Sequence, residues 1–313
     1  MMNVAAEVRV EKFKYVGWPN CYRISNGLVQ LIVTSDVGPR VLHYGFVGGR
    51  NLFKEFPEHL GLSGEDEFRA RGGHRLWKAP EDLATTWVAD NHPVEVQIHS
   101  DGLTAIAPVE AASGLQKEIE VRLAASGSGV ALTHRITNRS EQDQTFAPWT
   151  LTVMAPGGIA VAGFPTRAEY PGNLQPTNPL VMWAYTDLSD ARWRLLRKYT
   201  SLRQDTNQPS PQKIGLFSEH TWACYLLDGE MFLKRAKANA SATYPDFGCS
   251  LEMFTNHEFL EIETLGPIST VHPGESLQHA EHWSLHRDVH LAEISDVAID
   301  RAVLPLVTAE QQC

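Results

Sequence analysis

Residues 115–140, LQKEIEVRLAASGSGVALTHRITNRS, alternate apolar and polar side chains with a period of two. Ile119, Val121 and Leu123 fall on one face, and Glu118, Glu120 and Arg122 on the other. Only an extended strand sends every second side chain to the same side, so the pattern excludes a helix here. Gly127-Ser128-Gly129 breaks the run and makes it a hairpin. The same plan recurs at residues 21–36 around Asn26-Gly27, at 39–56 around Gly48-Gly49 and at 94–109 around Asp101-Gly102. Further strands are expected at 146–154, 213–217, 222–227 and 231–234, and again through 244–285, which turns at Pro273-Gly274-Glu275. Helical spacing occurs at 189–196 and at 292–306, where Ile294, Val297, Ile299, Val303 and Leu304 recur. Short strands separated by turns every roughly 8–12 residues mean an all-β sandwich or barrel. The expectation is one domain over residues 1–313, a large antiparallel β-sandwich with a short C-terminal helix, since no low-complexity linker or repeat divides the chain.

Charge and composition narrow the partners. A net charge of −10 argues against nucleic acid and anionic membrane surfaces. No apolar run approaches the roughly 20 residues of a membrane helix. The first residues, MMNVAAEVRVEKFKY, lack a basic start followed by an apolar core, so a cytoplasmic protein is expected. Cys21, Cys224, Cys249 and Cys313 show no paired spacing and are expected to stay reduced. Nucleophile-elbow, phosphate-loop and dinucleotide-binding glycine patterns are absent, and no cofactor is expected. A homodimer is compatible with the sequence but not specified by it.

Acidic residues stand inside the strands of 244–285 rather than at their ends. Glu252, Glu261, Glu263 and Glu281 recur there, interleaved with Asp246, His279 and Trp283. Burying a carboxylate unpaired is expensive, so such residues face water or line a site. Acids beside an aromatic on a sheet face suit the binding and deprotonation of a sugar. Glu261 and Glu263, two apart, share a strand face, where each raises the other's pKa; a salt-bridged strand glutamate is the plainer alternative for either. In Arg71-Gly-Gly-His-Arg-Leu-Trp-Lys-Ala-Pro-Glu81, His74, Arg75 and Trp77 offer an acid, a charged donor and a stacking surface, and two glycines admit close backbone approach. A loop stapled by Arg75 and Glu81 fits the segment equally well. Trp87 and His92 could join it. Lys234 and Asp246 could hold hydroxyls or a carboxylate, and Arg40 could clamp an acidic sugar. The histidines His272, His279, His282, His286 and His290 form no closed zinc pattern, and no metal site is assigned.

Three stretches together carry a resemblance to the galactose mutarotase-like superfamily, the aldose 1-epimerase group: SDVGPRVLHYGFVGGRNLF from Ser35, SGLQKEIEVRLAASGSGVALTHRITNRSEQ from Ser113, and SLEMFTNHEFLEIETLGPISTVHPGES from Ser250. The resemblance implies a large antiparallel β-sandwich acting on a small-molecule carbohydrate, with a glutamate base and a histidine acid. Glu263 resembles the position of that glutamate, with Glu252 the other candidate; His74 resembles the first histidine and Arg75 a neighbouring sugar contact. Where a second histidine is usual, this chain reads Ala147-Pro-Trp149-Thr150-Leu-Thr, so Trp149 or Thr150 replaces it. This departure places the chain nearer a separate bacterial branch than the ordinary epimerases. The resemblance therefore implies an epimerase or mutarotase using Glu263 and His74, with Arg75, Trp77, Trp149, Lys234, Asp246, Glu252 and Arg40 holding substrate. The alternatives are a non-catalytic sugar-binding protein, or a lyase or hydrolase that redeploys the paired carboxylates.

Overall fold

The computed structural model describes residues 7–309. Residues 1–6 and 310–313, including Cys313, lie outside the described residues; Cys21, Cys224 and Cys249 are free thiols. Two antiparallel sheets, of eleven and ten strands among the described residues, pack face to face. No helix among the described residues is long and apolar enough to cross a membrane.

At the centre of the larger sheet, the strands Arg40–Phe46, Gly73–Ala79, Gln144–Met154, Leu260–Leu265, Leu251–Thr255 and Gln212–Leu216 lie side by side in that order. In the smaller sheet, Glu230–Lys237, Ser276–His286, Val130–Asn138 and Leu115–Leu123 are consecutive neighbours. The expected hairpin of 115–140 is present, with Leu115–Leu123 paired to Val130–Asn138. Leu76, Met154, Ile214, Met253 and Ile262 from one sheet meet Ile119, Leu132, Phe232 and Trp283 from the other in the main core. The rings of Phe53, Phe232 and Trp283 pack edge to face at 5.5–5.6 Å, the arrangement aromatic quadrupoles favour.

Three expectations are corrected. Residues 189–196 form no helix. Asp187 and Asp190 accept from the backbone N–H groups of Ser189 and Arg192, an alternative to helical bonding, and Trp193–Leu195 is a short strand. Residues 39–56 hold one strand, Arg40–Phe46; the second arm makes only isolated bridges, while Asn51 ties down Leu42, Tyr44 and Phe53. The segment around His74 is no loop but the strand Gly73–Ala79. Its glycines approach protein rather than leaving room for a ligand: a Cβ on Gly72 would lie 1.9 Å from the Lys54 carbonyl oxygen. At the C-terminus the helical pattern is realised as two helices, Asp296–Ala302 and Leu304–Ala309, interrupted where Pro305 lacks an N–H. Ser295 caps the first of them, and Ile299, Val303 and Val307 pack on Val161, Cys224 and Leu233 of the smaller sheet's outer side.

A polar network crosses the core between the sheets. Glu281 lies 2.8 Å from Lys234 Nζ and accepts from Trp283 Nε1 at 2.9 Å and from the hydroxyls of Thr150 and Thr264. His74 Nε2 and His134 Nε2 are 2.7 Å apart; His74 also bonds Thr152, and His134 Nδ1 donates to the His279 carbonyl. Burial disfavours the charged form of each ring, so the pKa values of His74, His134 and His279 lie below the ordinary value, that of His279 at about 3.

In the unfolded chain these histidines protonate near pH 6.5, whereas in the folded chain they resist protonation. The unfolded state therefore binds more protons below that pH, and stability should fall as pH drops from about 6.5 toward about 3. The urea midpoint is expected to fall between pH 7.5 and pH 5, and His279→Asn should flatten the slope. Equal slopes in the wild type and this variant would exclude a linkage through His279.

Candidate functional site

A strand presents alternate residues to opposite faces, so the register of the larger sheet decides what each candidate can touch. Leu151 is paired with Arg75 and Glu263, and Thr152 with His74 and Ile262. Arg75, Trp77, Trp149, Glu261 and Glu263 thus point outward, away from the second sheet. His74, Thr150 and Thr152 point into the core. Glu252, directly across from Glu263, joins the outer face, as does Lys213 one strand further on.

These outward side chains form a compact slot. Lys213 Nζ lies 2.9 Å from Glu263 Oε2 and 2.7 Å from Glu252 Oε2, and Trp149 Nε1 donates to Glu263 Oε2 at 2.8 Å. Arg75 Nη2 donates to Glu261 Oε1 at 2.9 Å. The cations rest on aromatic faces: Lys213 lies 4.8 Å from the Trp149 ring centroid and 4.7 Å from that of Trp183, and the Arg75 guanidinium lies 4.5 Å from that of Trp77. Phe68, Trp77 and Trp87 contact one another in tilted or edge-on pairs with centroids 5.1–5.4 Å apart, and Trp149 meets Trp77 edge to face at 5.5 Å. Gly215 makes room for this wall, since a Cβ there would lie 2.3 Å from Cys249 Sγ and 3.2 Å from Trp183.

The electrostatics separate the acids. Burial pushes the Glu252 carboxyl well above its ordinary value; Lys213 opposes this and Glu263 adds to it. Burial likewise raises Glu261 against the pull of Arg75. Burial works against the Lys213 ammonium, but Glu252 and Glu263 outweigh it and hold its pKa well above the usual lysine range. Several buried atoms of the slot have no hydrogen-bond partner: Arg75 Nε and Nη1, Glu252 Oε1 and Glu263 Oε1. Unpaired buried polar atoms are rare and costly, and their convergence on one face is what a polyhydroxylated ligand would complete.

The slot thus gathers Glu263, Glu252, Arg75, Trp77 and Trp149, with Asp246 close enough to raise the Glu252 pKa. His74 is not with them. It is fully buried on the other side of the sheet, where a substrate lying against Glu263 cannot meet it. Lys234 is also inside the core, paired with Glu281. Arg40 shares the outer face and is paired in register with Arg75. Its Nη1 serves the carbonyls of Ala70 and Gly72 and its Nη2 holds Asp90 at 2.6 Å, so it fastens the loop before residue 73. Arg75 pairs with Glu261 rather than with Glu81, which accepts from Trp87. Lys213 and Trp183 are slot residues that the sequence reading did not select. Alternation within residues 212–216 puts Lys213 on one face with Gly215, but only the pairing of distant strands brings it to Glu263.

His74, His134 and Glu281 bring ligand atoms within 4.8 Å of one another, spacing that a cation could use. Their donors and acceptors are, however, already engaged with each other and with Thr150, Thr152, Thr264 and Lys234. A cavity of about 410 Å³, walled by Ala84, Val88, Ala107 and Val109, shares Trp77 with the slot. A larger cleft of about 700 Å³ lies away from the carboxylates, between Trp222 and the last helix, where Lys198 is paired with Asp300 at 2.6 Å. The chemistry-bearing groups, not cleft size, locate the candidate site.

No family model matches the chain, and no curated protein matches it in sequence. Solved structures do. The Slr1438 protein of Synechocystis sp. PCC 6803 superposes with a TM-score of 0.58 at 13% identity, covering 88% of this chain and 99% of that one. A galactose mutarotase-like protein from Clostridium acetobutylicum gives 0.53 at 10% identity, covering 90% and 99%. Another from Lactobacillus casei ATCC 334 gives 0.51 at 12% identity, covering 85% and 100%. The fold of this chain is that of the galactose mutarotase-like proteins, over nearly their full length.

Lys213→Met would leave Glu252 and Glu263 buried without their shared cation. At pH 7 it should cost about 3–5 kcal/mol of unfolding free energy. Without the ammonium, nothing from Lys213 opposes the upward push of burial on the Glu252 carboxyl, so the folded state binds a proton there more readily and the deficit should shrink toward pH 5. Chemical denaturation at the two pH values tests this; a pH-independent deficit would mean that Lys213 acts by packing alone.

Proposed function

We propose that the protein is a carbohydrate isomerase of the mutarotase type, acting on a small sugar held against the outer face of the larger sheet. The observation that carries this reading is the pair Glu252–Glu263: cross-strand neighbours, buried, bridged by one lysine, each with an unpartnered oxygen. Anomer exchange requires one group to take the anomeric hydroxyl proton and another to give a proton to the ring oxygen. Glu263 is the acceptor: Trp149 and Lys213 occupy its Oε2, and Oε1 is unpaired. Burial pushes the Glu252 carboxyl well above its ordinary value, which suits it to the donor's role. It takes the acid role that the sequence assigned to His74. As the ring opens and closes the two carboxyls exchange roles, and Lys213 holds the negative charge they share.

Arg75 and Glu261 present donors and an acceptor to the remaining hydroxyls, while the Trp77, Trp87 and Trp149 rings offer a surface for the apolar face of a sugar. Arg75 and Lys213 keep 5% of their surface open and Glu261 7%, while Glu252 and Glu263 lie beneath them. Binding must therefore displace part of the aromatic rim, which would also shield the proton transfers from water.

Anomer exchange measured by NMR over a panel of free aldoses, uronic acids and sugar phosphates tests the reading. Accelerated exchange is expected for at least one member. Glu263→Gln should reduce it at least about 100-fold, and Glu252→Gln comparably, with folded spectra retained. Acceleration that survives both substitutions would refute these roles; sugar binding without acceleration would favour a binding protein.

A further inference from the structure

Phe247 is 93% exposed, more than any other large apolar side chain among the described residues, and no ring contact reaches it. Its backbone is left-handed, with φ at +59°, following Asp246 at +52° and preceding Gly248 at +100°. Two successive non-glycine residues in this region cost free energy that packing of the Phe247 ring does not return. The loop is nonetheless fixed at both ends. Tyr244 is buried, its hydroxyl accepting from the Asn239 N–H at 2.9 Å and its ring lying 5.3 Å from Phe217. Past the tip, the N–H groups of Gly248 and Cys249 both donate to the Pro245 carbonyl, and Cys249 Sγ approaches the Asp246 carbonyl at 3.0 Å.

The place that this rigid tip occupies gives the strain a use. Cys249 sits over Gly215, the residue directly across from Glu252, and beside Trp183, whose ring faces Lys213. The loop thus stands at the Glu252 end of the slot, opposite the rim residue Trp87. We propose that Phe247 is a ligand-contacting residue, an aromatic held out from the rim to cover the apolar face of a sugar seated on Glu252 and Glu263. This rests on the reading of the slot as a carbohydrate site. Pre-setting the backbone avoids ordering a loop on binding, which is where rigid aromatic contacts gain affinity.

The wild type, Phe247→Gly and Phe247→Trp are compared by NMR titration with D-galactose and D-glucose and by thermal unfolding. Glycine accepts the left-handed conformation without penalty and removes no packed side chain, so Phe247→Gly should unfold at an equal or higher temperature. Its sugar affinity should fall about tenfold, and tryptophan should restore it. Unchanged affinity in Phe247→Gly overturns the inference, as does a loss of stability, which would make the ring structural. A wild type that self-associates through a contact abolished in Phe247→Gly, at unchanged sugar affinity, makes the ring an interface residue instead. If the wild type binds these sugars without accelerating anomer exchange, the isomerase reading fails while the Phe247 contact stands. If it binds neither, the Phe247 inference falls, and the isomerase reading is decided separately by anomer exchange over the wider panel.

Discussion

The Glu281 carboxylate, buried between the sheets, is the interaction on which the rest of the structure depends. A carboxylate removed from water is tolerable only with a counter-ion and hydrogen bonds in good geometry. Lys234 and Trp283 supply these from its own sheet, and Thr150 and Thr264 from the facing one. A slip of either sheet by one residue would bury these groups unpaired, so the network fixes register more sharply than the surrounding leucines and isoleucines can. Thr150 and Thr264 lie on the strands that carry Trp149 and Glu263 on their outer side. What aligns the interior therefore also places the slot.

Much of this was legible in the sequence, and the two failures have separate physical causes. Period-two alternation revealed the hairpin of 115–140 and the placing of Glu261 with Glu263 on one face. The same rule, applied to residues 73–79, would have separated His74 from Arg75, since neighbours in a strand cannot face the same way. Selecting His74 and Arg75 by residue type, without assigning the stretch to a strand, put both residues in one site. Lys213 was missed for a different reason. Its neighbours in the slot are 39 and 50 positions along the chain, and only strand order brings them together. A strand order of this kind is set by hairpins and crossovers jointly, which single-segment patterns do not encode.

The two faces of the larger sheet meet polar clusters of similar residue types in opposite condition. Inward, the donors and acceptors of His74, His134, Glu281 and Lys234 meet one another and three threonines. Outward, Arg75, Glu252 and Glu263 are as buried but keep polar atoms without partners. Burial alone would rate both clusters alike, and so would perturbed pKa values, since both contain them. Satisfaction distinguishes them. A completed network has spent its electrostatic free energy on the fold, whereas an incomplete one imposes a cost that folding does not recover and a ligand can.

That distinction bears on the proposed chemistry, in which the slot works without histidine. Proton transfer near neutrality needs a donor and an acceptor whose affinities differ, and a histidine with a carboxylate is only one way to provide them. Two carboxyls facing the same ammonium differ in their surroundings, and burial pushes Glu252 well above its ordinary value. Glu263 has the Trp149 indole and Lys213 on one oxygen, while Glu252 lacks the indole and has Asp246 nearby. Trp149, one of the two residues that stand where the resemblance leads one to expect a second histidine, has contacts of its own. It supplies a fixed N–H to one carboxyl and a ring face to the lysine that bridges both. Between two chemically identical acids, the Trp149 N–H is a contact that Glu263 has and Glu252 lacks.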